Sequence, residues 1–436
     1  MAQFRTDTKK LDGAHDRTRH EVMLLGDRIS PSGTITDAFG RLRISSPVTL
    51  FDSFHRYQDN GYWANTAVTG ATIIHNTNTS SVALNVTTTS GSKVVRETTR
   101  VFAYQPGKSL LVMNTFAMNT PKAGLRQRVG YFGSQNGVYL ENDGTGNFLV
   151  LRSFISGSVD ETRRIPQSEW NVDKFDSTGY AGQVNGGSQG SLDTSKTNIF
   201  WMDIEWLGVG DVRCGFVVAG KMIVAHIFHN DNLNVQPYMT TASLPLRYEI
   251  ENTSATASIS TLTQVCSTVI AEGGYTGSGQ QYSVSGTPIT TWQALGTAGT
   301  FTPIISLRLK ATRLDAIAII SGLSMIGHSS PAAEIEWRLY VGNTLTGTTP
   351  SWESGSPSVE YDISATGITG GINSLSGYIS ATGSNSPAFT LSRESLFKYQ
   401  LERNSLTSTP IIITLAGAGS VNAAEIKATM SWEQIV

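Results

Sequence analysis

Between Thr197 and Asn230 the chain reads TNIFWMDIEWLGVGDVRCGFVVAGKMIVAHIFHN. Its apolar residues recur at every second position, the spacing that lines one face of a β-strand. Phe200, Met202, Ile204 and Trp206 fall on one side of a first strand, with Asp203 and Glu205 on the other. Val212, Cys214, Phe216 and Val218 mark a second strand; Met222, Val224 and Phe228, with His226 among them, mark a third. Gly208 and Gly210 separate the first pair and Ala219-Gly220 the second, where glycine permits tight turns. The stretch predicts a three-stranded meander at the apolar centre of a β-rich domain. It carries no catalytic signature.

The same alternation recurs along the chain. Val82, Leu84 and Val86 share one face, and Pro106-Gly107 predicts a turn between strands over 101–105 and 109–118. A strand over 127–132 leads to a hairpin around Asp143-Gly144. Leu244, Leu246, Tyr248 and Ile250 share a face, with Pro245 arguing for an edge strand. Ile305, Leu307 and Leu309, then Ile335, Trp337, Leu339 and Val341, then Ala424 to Trp432, repeat the pattern in the last third. Charged residues make up only 15% of the chain while glycine reaches 43 residues, a balance that suits short strands and many turns. The expected class is all-β, built of antiparallel β-sandwich or jelly-roll domains. One helix is expected over 392–403, where Leu396, Phe397 and Leu401 form an apolar edge.

A chain of 436 residues exceeds one small core, so two domains are expected. The reading gives an extended arm over 1–30, a sandwich scaffold over 31–255, a linker region with room for one strand over 256–300, and a second sandwich over 301–436. A surface loop is expected over 176–196. The formal net charge of −2, with no basic tract, argues against direct nucleic-acid binding. No apolar run is long enough for membrane insertion, and the first thirty residues lack the core of a signal peptide. Cys214 and Cys266 lie in partly apolar patterns and are read as buried free thiols, with pairing left open.

Few residues offer chemistry. Asp203 and Glu205 sit about 7 Å apart on one strand face, a spacing admissible for a pair of glycosidase acids at about 6.5–9.5 Å; surface strands carry such pairs for solvation as well. His226 and His229 point to opposite strand faces unless the chain turns after Phe228, in which case Asp231 could complete a metal set. Asp143, Asp173, Asp176 and Asp193 lie in loop sequence without the ordered spacing of a calcium loop. Gly186-Gly187-Ser188-Gln189-Gly190 matches GxSxG, but inside a polar loop rather than a strand-to-helix elbow. Trp63, Tyr104, Trp170 and Tyr238 are candidate glycan contacts, set against the usual core role of aromatics. No cofactor, bound metal or enzymatic activity is expected.

The segments DAFGRLRISSPVTLFDS (37–53), RVFAYQPGKSLLVMNTF (100–116), LRQRVGYFG (125–133), WNVDKFD (170–176) and WMDIEWLGVGDVRCGFV (201–217) together resemble a family of tailed-phage virion structural proteins, especially those of marine and cyanobacterial hosts. The resemblance spans roughly residues 30–270 and supplies no catalytic residues. It implies a particle component such as a head decoration, a neck or whisker protein, or a fibre, assembled in the host cytoplasm and held by contacts to other virion proteins. A homotrimer is the expected assembly. A host-glycan-binding fibre module, a carbohydrate-active enzyme using Asp203 and Glu205, and a nonviral adhesive protein are the competing readings.

Overall fold

The computed structural model describes residues 46–184, 190–277, 279–382, 389–391, 399–422 and 424–435. The arm expected over 1–30, Ser188, and residues 392–398 of the expected helix lie outside them. The rest of that helix is extended: Gln400 bridges Ile319, and Leu401 is buried in a core.

Two antiparallel sheets enclose the larger core. The first runs, edge to edge, through strands Lys221–Phe228, Val212–Val218, Asn198–Ile204, Leu110–Ala117, Ser260–Ala271, Ser81–Val86 and Thr72–Asn76, with Val48–Ser53 also paired to Ser260–Ala271. The second runs through Asp160–Pro166, Asn147–Ser153, Gly137–Asn142, Leu125–Phe132, Leu246–Asn252, Lys93–Thr98 and Trp63–Val68. The predicted meander is present: Phe200, Met202, Ile204, Val212, Cys214, Phe216 and Phe228 enter the core between the sheets as expected, but in the third strand Ile223 and Ala225 enter it in place of Met222 and Val224, because the register shifts between Cys214 and Gly215. Burying each of the larger of these side chains contributes roughly 1.5–3 kcal/mol. Leu246–Asn252 departs from expectation. It starts after Pro245 and is flanked on both sides, so the missing proline N–H falls outside the ladder and costs no pairing. Ser260–Ala271, within the expected linker region, is an interior strand of the first sheet.

A buried arginine joins the two sheets. Arg96 points inward opposite Tyr248 and is fully buried. Its Nε donates to Gln264 Oε1 at 2.5 Å across the core, and its Nη1 donates to Asn65 Oδ1 at 2.8 Å and Asp59 Oδ2 at 3.0 Å. Trp63 lies under its guanidinium at 5.0 Å. A charge buried this deeply is tolerated only because its donors are paired.

The outward face of the second sheet is an ion-pair lattice. Arg247 binds Glu97 at 3.0 Å and Glu249 at 2.8 Å, and Lys93 adds a 3.0 Å contact to Glu249. Arg126 binds Glu251 at 2.7 Å, while Arg128 and Arg164 grip Glu141 from two sides at 2.6 and 2.8 Å. Glu97, Glu141 and Glu249 are each at most 3% exposed although they face away from the core. The long arginine side chains cover them.

The second domain is an 11-stranded sheet whose two halves meet at one parallel bridge, Gly327 to Ala381. Ile320, Leu323, Met430 and Trp432 from one half pack with Ile305, Leu307, Trp337 and Leu415 from the other in a single core. The two domains share a seam. Residues 101–105, expected as a strand, pair with no strand among the described residues but keep their alternation: Phe102 and Tyr104 enter the first core, whereas Val101 and Ala103 pack on Ile317 and Ile319 of the second domain. Polar contacts flank this seam, with Arg403 on Glu97 at 3.1 Å and Gln400 Nε2 donating to the Val101 carbonyl at 2.8 Å.

Candidate functional site on the first sheet

The outward face of the first sheet presents three rows set by strand register. Asp203 lies opposite Arg213 on one side and Leu111 on the other, and Leu111 lies opposite Ile270. Two residues before Asp203 on the same strand, Trp201 lies between Gly215 and Met113. A Cβ on Gly215 would stand 2.0 Å from the Ile223 carbonyl oxygen and 2.6 Å from the Trp201 ring, so glycine there admits the close approach of both. In the opposite direction Glu205, whose N–H donates to the Asp211 carbonyl at 3.1 Å, extends the row toward Ser109 and Glu272, where the Glu272 N–H donates to the Ser109 carbonyl at 3.0 Å.

At the Asp203 and Glu205 end of these rows lies an open cleft of about 400 Å³, lined by Asp203, Glu205, Asp211 and Glu272 together with Lys108, Arg213, Tyr104 and Leu207. Four carboxylates face two cations. Arg213 reaches Asp203 at 3.5 Å, and Ser109 Oγ donates to Glu272 Oε2 at 2.7 Å. Lys108 is drawn to the side, donating to Gln105 Oε1 at 2.8 Å and Thr276 Oγ1 at 3.2 Å. Burial, reinforced by the charges of Glu272 and Glu205, pushes the Asp203 carboxyl above the usual range, against the pull of Arg213. The cleft thus offers a dense set of acceptors, a protonatable acid and the exposed side chain of Leu207 on its rim.

The acids read from sequence, Asp203 and Glu205, therefore come together in one cleft. The four aromatics read as glycan contacts do not. Trp63, Tyr104, Trp170 and Tyr238 are 6%, 6%, 2% and 4% exposed and belong to the first core, because each sits at an inward position of its segment. Trp63 Nε1 donates to Ser53 Oγ at 2.9 Å and Trp170 Nε1 to the Ile165 carbonyl at 3.2 Å. Tyr104 reaches the cleft only as part of its wall, its hydroxyl accepting the N–H of Leu207 at 3.1 Å. The loop aspartates are separate turn staples rather than a calcium set: Asp143 accepts from Thr145 N, Asp176 from Thr178 N, Asp193 from Ser195 N and Asp173 from Phe175 N. Cys214 and Cys266 are both free; Cys214 is buried as expected, while Cys266 is exposed at a break in the strand register.

His226 stays among core residues, where burial, with Arg163 and His229 adding to it, lowers its pKa to about 4. His229 instead meets Asp211 and Asp231. Asp211, Glu272 and Lys108 were not singled out in the sequence. Only Asp211 had a readable signal, one residue before a strand whose hairpin partner ends one residue before His229.

No family model matches the chain, and no curated protein matches it. Solved structures do. An endo-β-1,4-glucuronan lyase from the fungus Trichoderma reesei is 10% identical with a TM-score of 0.34, over 51% of this chain and 95% of that one. A carbohydrate esterase from the Shiga toxin-encoding bacteriophage phi24B is 10% identical with a TM-score of 0.31, over 52% and 99%. Peanut lectin is 11% identical with a TM-score of 0.30, over 53% and 100%. Likeness at this level concerns the sandwich fold alone. The chain is an all-β protein of antiparallel sandwich or jelly-roll type.

Proposed function

We propose that this chain is a structural subunit of a tailed-phage particle, acting through contacts with copies of itself and other virion proteins, and that the cleft on its first sheet holds a saccharide of the host surface without cleaving it. The phage assignment rests on the resemblance of the segments between residues 37 and 217. The binding role rests on one observation: Asp203, Glu205, Asp211 and Glu272 stand together in an open cleft on a face whose opposite counterpart is neutralised by ion pairs. Sugar hydroxyls are donors that carboxylates accept well, and a rigid sheet holds the acceptors in place at little entropic cost. The surplus of carboxylates over cations disfavours acidic polysaccharides and favours neutral or amino sugars.

The experiment is retention of the purified protein on immobilised host-surface polysaccharides, neutral, amino and uronic, with Glu205→Gln alongside. Retention on neutral or amino sugars that the variant loses supports the binding role; equal retention of both proteins, or none, ends it. Release of reducing ends by the wild type and not by the variant would replace binding with hydrolysis. Purified particles that lack the chain would end the structural assignment. A homotrimer is the proposed assembly, and sedimentation equilibrium reads it directly.

A further inference from the structure

We infer that Asp211, His229 and Asp231 form a binding site for a divalent transition-metal ion at the rim of the cleft. Val212 and Phe228 are the last paired residues of their two strands, so Asp211 and His229, each one step beyond, emerge side by side. His229 Nδ1 lies 2.8 Å from Asp211 Oδ2. The chain then turns on Asn230, which is fully buried. The Asn230 amide donates to the carbonyls of Gly210 at 2.8 Å and Phe228 at 3.2 Å, and its side-chain oxygen accepts from Arg163. Arg163 also donates to the His229 carbonyl at 3.1 Å. This buried brace returns Asp231 over the strand ends.

The result is one imidazole nitrogen and one oxygen from each carboxylate, all within 4.8 Å of one another. An ion centred among atoms at that limit would need each to move inward by roughly 0.7 Å to reach bonds of about 2.1 Å. Side chains at the protein surface make such adjustments easily. Two carboxylates held this close repel each other, and a dication between them converts that repulsion into attraction. A second feature lies beside Arg163. Tyr238 is 4% exposed, its hydroxyl has no hydrogen-bond partner among the described residues, and it lines a pocket with Arg163 of the brace. Water carried by a bound ion is a partner such a hydroxyl can use. A donor set of one imidazole and two carboxylates suits Zn²⁺ or Mn²⁺, whereas Ca²⁺ and Mg²⁺ take oxygen-only shells.

The inference does not depend on saccharide binding, and its test uses none. Full-length protein freed of metal with a chelator and then dialysed is titrated calorimetrically at pH 7.5 with ZnCl₂, MnCl₂, CaCl₂ and MgCl₂. The expected result is one Zn²⁺ or Mn²⁺ per chain, bound at least tenfold more tightly than Ca²⁺ or Mg²⁺, with Asp231→Asn and His229→Gln each weakening it at least tenfold. Both positions are exposed, so the metal-free variants should melt with the wild type, which separates loss of a ligand from loss of fold. Absence of stoichiometric binding, or binding unchanged in both variants, overturns the site.

Discussion

On the outer face of the second sheet, Glu97, Glu141 and Glu249 are each held by at least two cationic side chains and nearly vanish from solvent. On the outer face of the first sheet, Asp203 has Arg213 at 3.5 Å, and Glu205 and Asp211 stand at the cleft with Glu272. Both faces come from strands with the same inward apolar pattern, and both carry acids at alternate outward positions. The difference lies in what stands across the strand. Arg128 faces Glu249 and Glu141 in register, whereas Asp203 faces Leu111 on one side. One face pairs each of these acids with two or more cations; on the other, Asp203 keeps Arg213 at 3.5 Å and Asp211 keeps His229 at 2.8 Å.

The sharpest way to break this comparison is to remove one acid from each face. Glu249→Ala leaves Arg247, Arg128 and Lys93 short of a buried partner and should cost about 3–5 kcal/mol, read by urea unfolding. Glu205→Gln, on the exposed cleft, should stay within about 0.5 kcal/mol. Equal losses would erase the distinction. Acid should then act on the two proteins differently. Burial alone would raise the Glu249 pKa, but Arg247, Lys93 and Arg128 outweigh it and hold it at about 2, below the usual 4.5. Its contribution is therefore complete above pH 4.5 and is lost as pH falls toward 2. His226, lowered from 6.5 to about 4, favours the neutral ring in the folded state, so its contribution fades earlier, as pH drops from 6.5 to 4. A plot of unfolding midpoint against pH should show both limbs in the wild type, and Glu249→Gln should flatten only the lower one.

Ligand binding sharpens the same contrast. Asp203→Asn should weaken saccharide retention about tenfold, near 1.4 kcal/mol, while Glu251→Gln on the lattice face should leave it unchanged in affinity chromatography. The smallest effect concerns thiols. Burial and the neighbouring Asp203 charge push the Cys214 thiol up, whereas Cys266 is exposed. Native protein should react with one equivalent of a thiol reagent and unfolded protein with two.

Much of the scaffold could be read from the alternation of residues such as Phe200, Met202 and Ile204, because a half-buried strand imposes period two wherever it lies. Pairing could not. Leu110–Ala117 lies between Asn198–Ile204 and Ser260–Ala271, partners far away in sequence, and nothing local specifies that order. Pro245 misled because its effect depends on whether the ladder begins before or after it. The aromatics misled because Trp63 and Trp170 are equally able to fill a core or stack on a sugar, and only burial separates the two. Asp203 and Glu205 were visible as a pair, but the cleft around them was not, since Lys108, Asp211 and Glu272 arrive from three other strands' ends.

The seam at Val101 to Tyr104 gives the molecule a mechanical character. Successive residues of one short segment plug alternately into two different domains, so neither can loosen without dragging on its neighbour's packing. Ile435, at the end of the last strand, rests against the same seam. Tension applied there would pass directly into both halves, and the chain would yield as a single stiff body rather than as beads on a string.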